Sequence, residues 1–138
     1  MGTRSYDSES RRRQEAERKA RIAAATAALH ARKGASGTSY AEIAVEAGVS
    51  LPTVYAHFPS QRELLEGCTG HVAASAPVVP VDKVLSAPDL SAAAELLADA
   101  MGERHLHFEP WLAWREDRVI PFLAEMSAAS REQIAALV

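Results

Sequence analysis

The tetrapeptide Ala47-Gly48-Val49-Ser50 constrains this chain more than any other feature, because helix signals flank it on both sides. Upstream, Ser39-Tyr40-Ala41-Glu42 has the form of a capping box, in which the serine hydroxyl takes the amide of the third helical residue and the glutamate reaches back. Ile43, Ala44 and Ala47 give that helix an apolar face. Gly48 ends it, since glycine adopts a positive φ at the least steric cost. Val49 is the apolar plug of the turn. Ser50 is the N-cap of a second helix that tolerates Pro52 in its first turn, where the missing N–H has no helical partner. Val54 and Phe58, four residues apart, face the core, which leaves Leu51, Pro52, Thr53, Tyr55 and His57 on the outer face before Pro59 stops the helix. Ser60-Gln61-Arg62-Glu63 is a second capping box, and Leu64, Leu65 and Cys68 begin another amphipathic helix.

Two short helices about a tight turn form a helix-turn-helix, whose second helix enters the DNA major groove. Further residues make the pattern more specific. Arg21-Ile22 opens an alanine-rich helix, Gly34 ends it, and Thr38-Ser39 starts the next. Ile43-Ala44, Ala47-Gly48-Val49-Ser50, Thr53-Val54-Tyr55, His57-Phe58 and Glu63-Leu64-Leu65 follow. At this spacing residues 21–66 resemble the DNA-binding domain of the TetR/AcrR family of bacterial transcriptional regulators. The resemblance implies an all-α fold, with an N-terminal three-helix helix-turn-helix domain followed by a helical ligand-binding and dimerisation domain. It also implies a homodimer that represses transcription from a palindromic operator on double-stranded DNA and is released by a small molecule. The fourth helix would couple ligand to DNA spacing. Two positions depart from the family pattern: His30 stands where an aromatic anchor is usual, so the helix either loses that anchor or exposes the position, and Gln61 stands where a lysine commonly contacts phosphate.

The roles divide by chemistry. Leu51, Pro52 and Thr53 approach base edges, where Thr53 offers a hydrogen bond or a methyl contact and the other two only apolar contact. Tyr55 and His57 hold phosphates together with Thr38, Ser39, Gln61 and Arg62; for Tyr55 the alternative is a core tyrosine with a satisfied hydroxyl.

Charge supports this reading despite a net −3 over 138 residues: residues 1–62 carry +4 and residues 63–138 carry −7. A basic half suits a polyanion and an acidic remainder stays off it. The expected boundaries are a disordered basic arm at 1–15, the DNA-binding domain at 16–66 and a regulatory domain at 67–138. The arm holds Arg4, Arg11, Arg12 and Arg13 without apolar periodicity, and is either a DNA contact or a solvated tail. One Cys excludes an internal disulfide, and the polar N-terminus and absence of a long apolar run point to the cytoplasm rather than a membrane or secretion.

In the second half, prolines at 77, 80 and 88 mark a loop with a short helical turn near Asp82–Leu85. Asp89 or Ser91 then starts an alanine- and leucine-rich helix, Pro110 breaks or kinks it near Trp111, another helix follows, and a last one begins around Pro121. Met101, His105, Phe108, Trp111, Trp114 and Phe122 are candidates for an apolar ligand pocket, with His107 and Arg115 as further polar contacts; ordinary core packing explains the same aromatics. Glu103, His105, His107 and Glu109 alternate at a spacing that a helix splays, so no metal site is expected, and no cofactor. Cys68 reads as a buried thiol. No phosphate loop or nucleophile elbow supports an enzyme, so no catalytic residue is assigned. The sequence closes on Ile134-Ala135-Ala136-Leu137-Val138 within an apolar helical pattern, whereas relatives continue into two interface helices. The regulatory domain is therefore expected to be incomplete, and a shortened regulator with weak or no DNA binding is the alternative.

Overall fold

The computed structural model describes residues 3–136, and among these no strand occurs. The helices are α1 (Thr3–Lys33), α2 (Tyr40–Ala47), α3 (Leu51–His57), α4 (Gln61–Ala74), α5 (Val81–Leu85), α6 (Leu90–Leu112) and α7 (Pro121–Ala135), with a short 3₁₀ turn at Glu116–Arg118. The chain divides into two compact units between Val72 and Ala73.

The first unit is built on one apolar cluster. Ile22, Ala25 and Leu29 of α1 meet Ile43, Ala44 and Ala47 of α2, Val54 of α3, and Phe58 and Leu64 beyond it. Thr26 lies within this face with no exposure, and its hydroxyl donates to the Ile22 carbonyl at 2.8 Å, so its burial leaves no orphan polar atom. Both capping boxes form. Ser39 Oγ accepts from the Glu42 amide at 3.2 Å while the Ser39 amide donates to Glu42 Oε2 at 2.9 Å. Ser60 and Glu63 repeat the exchange at 3.2 and 3.1 Å. Gly48 adopts φ 66°, and its amide and that of Val49 close onto the Val45 and Ala44 carbonyls, the paired bonds that end a helix in a left-handed residue.

Three expectations are corrected here. Residues 3–15 are not a disordered arm: α1 is helical from Thr3, and no boundary falls at residue 15. The second half of the segment, residues 9–15, is rich in good helix formers (Arg, Gln, Glu), Arg11 pairs with Asp7 one turn away at 3.9 Å, and extending a nucleated helix costs little. The side chain of Arg4 lies outside the described residues, as do Leu137 and Val138 and the side chain of Ile134. His30 is neither an exposed position nor an empty anchor: it is buried, with Nδ1 3.7 Å from Cys68 Sγ, and links α1 to α4. Burial pushes the Cys68 thiol up to about 12, so it stays protonated at neutral pH. Finally, Pro110 does not end α6, which continues to Leu112, and only the 3₁₀ turn follows. Proline costs the helix the bond to the carbonyl four residues back, and near the last turn that loss is tolerated.

The second unit starts as read, with Asp89 capping α6 through the Ala92 amide at 2.9 Å. Its interior is thin: among its described residues only Ala76, Ala100 and Ile120 are buried.

Two glycines of α4 predict opposite outcomes. A Cβ on Gly67 would stand 2.5 Å from the ring of buried Phe58, whereas one on Gly70 meets nothing within 4 Å. Gly70→Ala is expected to stabilise the chain by about 0.5–1 kcal/mol, and Gly67→Ala to lose more to overpacking than it gains in helix propensity, a net cost of about 1–2 kcal/mol in urea unfolding.

A second expectation concerns pH. Hydrogen bonds from Lys33, then from Ser39, hold the Glu42 carboxyl down at about 2, against an ordinary 4.5. As pH falls the unfolded chain takes up this proton first. The stability Glu42 contributes is therefore complete above about 4.5 and is lost from there down to about 2. The thermal-stability gap between the parent chain and Glu42→Gln, which keeps the capping box, should close across that interval.

Candidate nucleic-acid interface

The turn between α2 and α3 presents one face of α3 outward. Val54 and Phe58 are buried, so the residues between and before them point away from the core. Leu51 is 39% exposed and Tyr55 47% exposed, Pro52 is exposed, and Thr53 and His57 are half-buried. An exposed leucine and a tyrosine with nearly half its surface in solvent, side by side on a seven-residue helix, form the kind of surface that a partner covers.

The hydroxyls differ in what they have left to give. Ser50 Oγ accepts from the Thr53 amide at 3.3 Å and lies 2.7 Å from Thr53 Oγ1, so the cap orients the Thr53 side chain at the head of α3. Thr38 Oγ1 donates to the Gly34 carbonyl at 2.7 Å, and Ser39 Oγ donates to Glu42 at 3.0 Å. A phosphate only accepts, so in this arrangement Thr38 and Ser39 fix the start of α2 rather than offer a proton. Gln61 is exposed, and together with Thr38 and Tyr40 it lines a small crevice over Leu64 and Leu65. Arg62 is exposed beside it and bridges to Glu66 at 3.2 Å. An exposed pair one helical turn apart is worth only about 0.3–0.5 kcal/mol, so a phosphate can take the arginine at little cost.

Sequence reading missed Tyr40. Its ring stacks on Tyr55 with centroids 4.5 Å apart and planes within 3°. Tyr40 is half-buried, and burial, followed by the neighbouring Tyr55 and Glu63, raises its pKa, so its hydroxyl stays neutral. The stack ties the first residue of α2 to the outward face of α3 and restricts the Tyr55 ring. The signal lay in the fifteen-residue separation of two tyrosines on either side of the turn, which only the turn geometry converts into contact. Lys19 was also missed; its ammonium sits 5.4 Å from the centre of the Phe58 ring.

The candidate ligand residues are not enclosed. Met101, His105 and Trp114 are exposed, and Phe108, Trp111 and Phe122 are half-buried. Two of them gather around a residue named only as a further polar contact: His107 meets Phe108 edge-on at 4.9 Å and lies 6.1 Å from Trp111. Arg104 stands over Phe108 at 5.5 Å and donates to the Pro77 carbonyl at 2.7 Å. Among the described residues no group of three or more His, Cys, Asp or Glu side chains could hold a metal, and no helix is long and apolar enough to cross a membrane.

Residues 22–68 match the family model for bacterial regulatory proteins of the tetR family. No curated protein and no solved structure gives a match. The matched residues run from the first buried residue of α1, through the glycine turn and α3, to Cys68 on α4, which is the whole of the frame that carries the outward helix. Through this N-terminal unit the chain is similar to the tetR family of bacterial regulatory proteins, and the match covers about a third of its length.

Proposed function

We propose that the chain is a ligand-responsive repressor that binds a palindromic operator as a homodimer in the cytoplasm and leaves it when a small molecule binds the second unit. The observation that carries the DNA-binding part is the outer face of α3, where Leu51, Pro52, Thr53, Tyr55 and His57 stand clear of a core that Val54 and Phe58 close. Leu51, Pro52 and Thr53 meet base edges at the head of the helix. Tyr55, His57, Gln61 and Arg62 hold the flanking phosphates and set the register, while Tyr40 orients Tyr55. With one hydrogen-bonding side chain among the first three residues, base readout is modest, and the shape of the duplex contributes to selectivity.

Support for the regulatory part is chemical. The second unit leaves large apolar side chains in solvent, among them Leu90 at 84%, Leu106 at 69% and Met101 at 52% exposure. Surface of this kind is what a subunit interface or an apolar ligand covers. Two reading heads joined in this way gain from each other only when their separation matches about one helical turn of DNA, roughly 34–36 Å. A ligand that favours another separation weakens DNA binding by its differential affinity for the two states.

Two experiments test the reading. On duplexes selected by the protein from a randomised pool, Thr53→Ala should change preference at one or two base pairs, by about 1–3 kcal/mol. Tyr55→Phe should weaken selected and random duplexes alike. Tyr40→Leu should behave like Tyr55→Phe, and Tyr40→Phe, which keeps the stack, should not. Equal losses on both kinds of duplex for Thr53→Ala and Tyr55→Phe would defeat this division of roles. Separately, light scattering over a concentration series should give the mass of a dimer, twice 14.8 kDa. A monomer throughout would defeat the dimeric repressor and leave a single reading head.

A further inference from the structure

Helix α1 is longer than its core requires. Its buried contacts begin at Ile22, and every residue from 11 to 20 is exposed. The exposed part carries Arg11, Arg12, Arg13, Arg18 and Lys19. It continues the packed helix, so the direction in which each of these residues leaves the backbone is set relative to the reading head.

Lys19 supplies that direction. Its ammonium lies over the ring of Phe58, the residue between His57 and the Pro59-Ser60 step that leads to Gln61 and Arg62. The side of α1 that bears Lys19 thus faces the α3–α4 corner, where the candidate phosphate contacts sit. Arg12 precedes Lys19 by seven residues, which places it within about 20° of the same direction and about 10 Å farther out along the rod. Arg13 is turned by about 100° from Arg12, and Arg11 by as much the other way. Glu15 occupies the neighbouring row, one turn from Arg12 and one from Lys19, and is the carboxylate that would oppose an anion there.

We propose that the exposed N-terminal part of α1 is a second DNA-contacting element, which sets Arg12 and Lys19 on backbone phosphates just outside those held by His57, Gln61 and Arg62. The contact is to phosphate and carries no base specificity, so it lengthens the duplex the protein covers and adds to affinity on any sequence. This rests on the DNA-binding reading of α3.

The test uses the full chain and a labelled mixed-sequence duplex that extends beyond the region α3 covers, with affinity measured across a salt series. Each lost phosphate contact lowers the slope of log K against log salt by about 0.9. Arg12→Gln should lower the slope by about that amount, and Arg12→Gln with Lys19→Gln by about twice as much. Arg13→Gln should leave it unchanged, and Glu15→Gln should tighten binding. Inserting two alanines after Ala16, in the exposed part of the helix, turns the outer rod by about 200° and brings Gln14 into the row of Arg12, so it should reproduce the Arg12→Gln slope. Equal slope losses for Arg12→Gln and Arg13→Gln, or no effect of the insertion, would mean a diffuse basic tail and overturn the proposal. So would an unchanged slope in Arg12→Gln while Arg62→Gln still weakens binding, an outcome that leaves the α3 reading intact. A parent chain with no affinity for the duplex would overturn both.

Discussion

The position of α3 depends on the burial of Val54 and Phe58. The helix is seven residues long, too short to be stable alone, and these two side chains are its hold on the rest of the unit. Val54 has no exposed surface, and Phe58 reaches α4 at Gly67, where the absence of a side chain lets the ring settle against the helix. The Phe58 ring also carries Lys19 of α1 on its edge of the core. One aromatic residue thus joins three helices, and the outward direction of Thr53 and Tyr55 follows from which way Val54 and Phe58 point. The caps act on the same geometry at smaller cost: Gly48 sets the angle of the turn, Ser50 the first turn of α3, and Ser60 with Glu63 the first turn of α4.

Around this frame the polar groups sort into those that hold the fold and those that remain available. Thr38, Ser39 and Glu42 are committed to starting α2, and Glu42 is further tied to Lys33. Arg32 reaches Glu46 at 3.2 Å, which fastens α1 to α2 on the exposed side. Gln61, Arg62, His57 and Tyr55 lie at or near the surface, Arg62 paired with the exposed Glu66, and an extended anion is a partner that suits several of them together. The Tyr40–Tyr55 stack belongs to both groups, since it braces the turn and presents one of its two rings to solvent.

Much of the first unit was legible because its signals are local. Capping boxes, the Gly48 turn and the Val54/Phe58 spacing act within a few residues, and each appears in the structure where the sequence put it. What was not legible is what depends on distance in the chain. The Tyr40–Tyr55 stack, the His30–Cys68 contact and the Lys19–Phe58 contact each need the turn or the helix packing to exist first. The basic arm misleads for the opposite reason: it lacks apolar periodicity, yet residues 3–15 are continuous with a packed helix, and that continuity suffices to extend α1. In the second unit the helix starts were readable from Asp89 and Pro121, but aromatic content alone could not say whether Met101, Trp111 and Trp114 enclose a cavity, because enclosure depends on neighbours that local patterns do not encode.

The claim that most of this account rests on is that the outward face of α3 is the DNA interface. Backbone amide shifts of the isotopically labelled chain, followed as duplex DNA from a selected pool is added, test it residue by residue. The account predicts the largest changes at residues 51–57 and 61–62, smaller ones along the exposed rod around Arg12, and little change in α6 and α7. Changes concentrated in the second unit, or spread evenly over the basic residues with α3 unaffected, would contradict it.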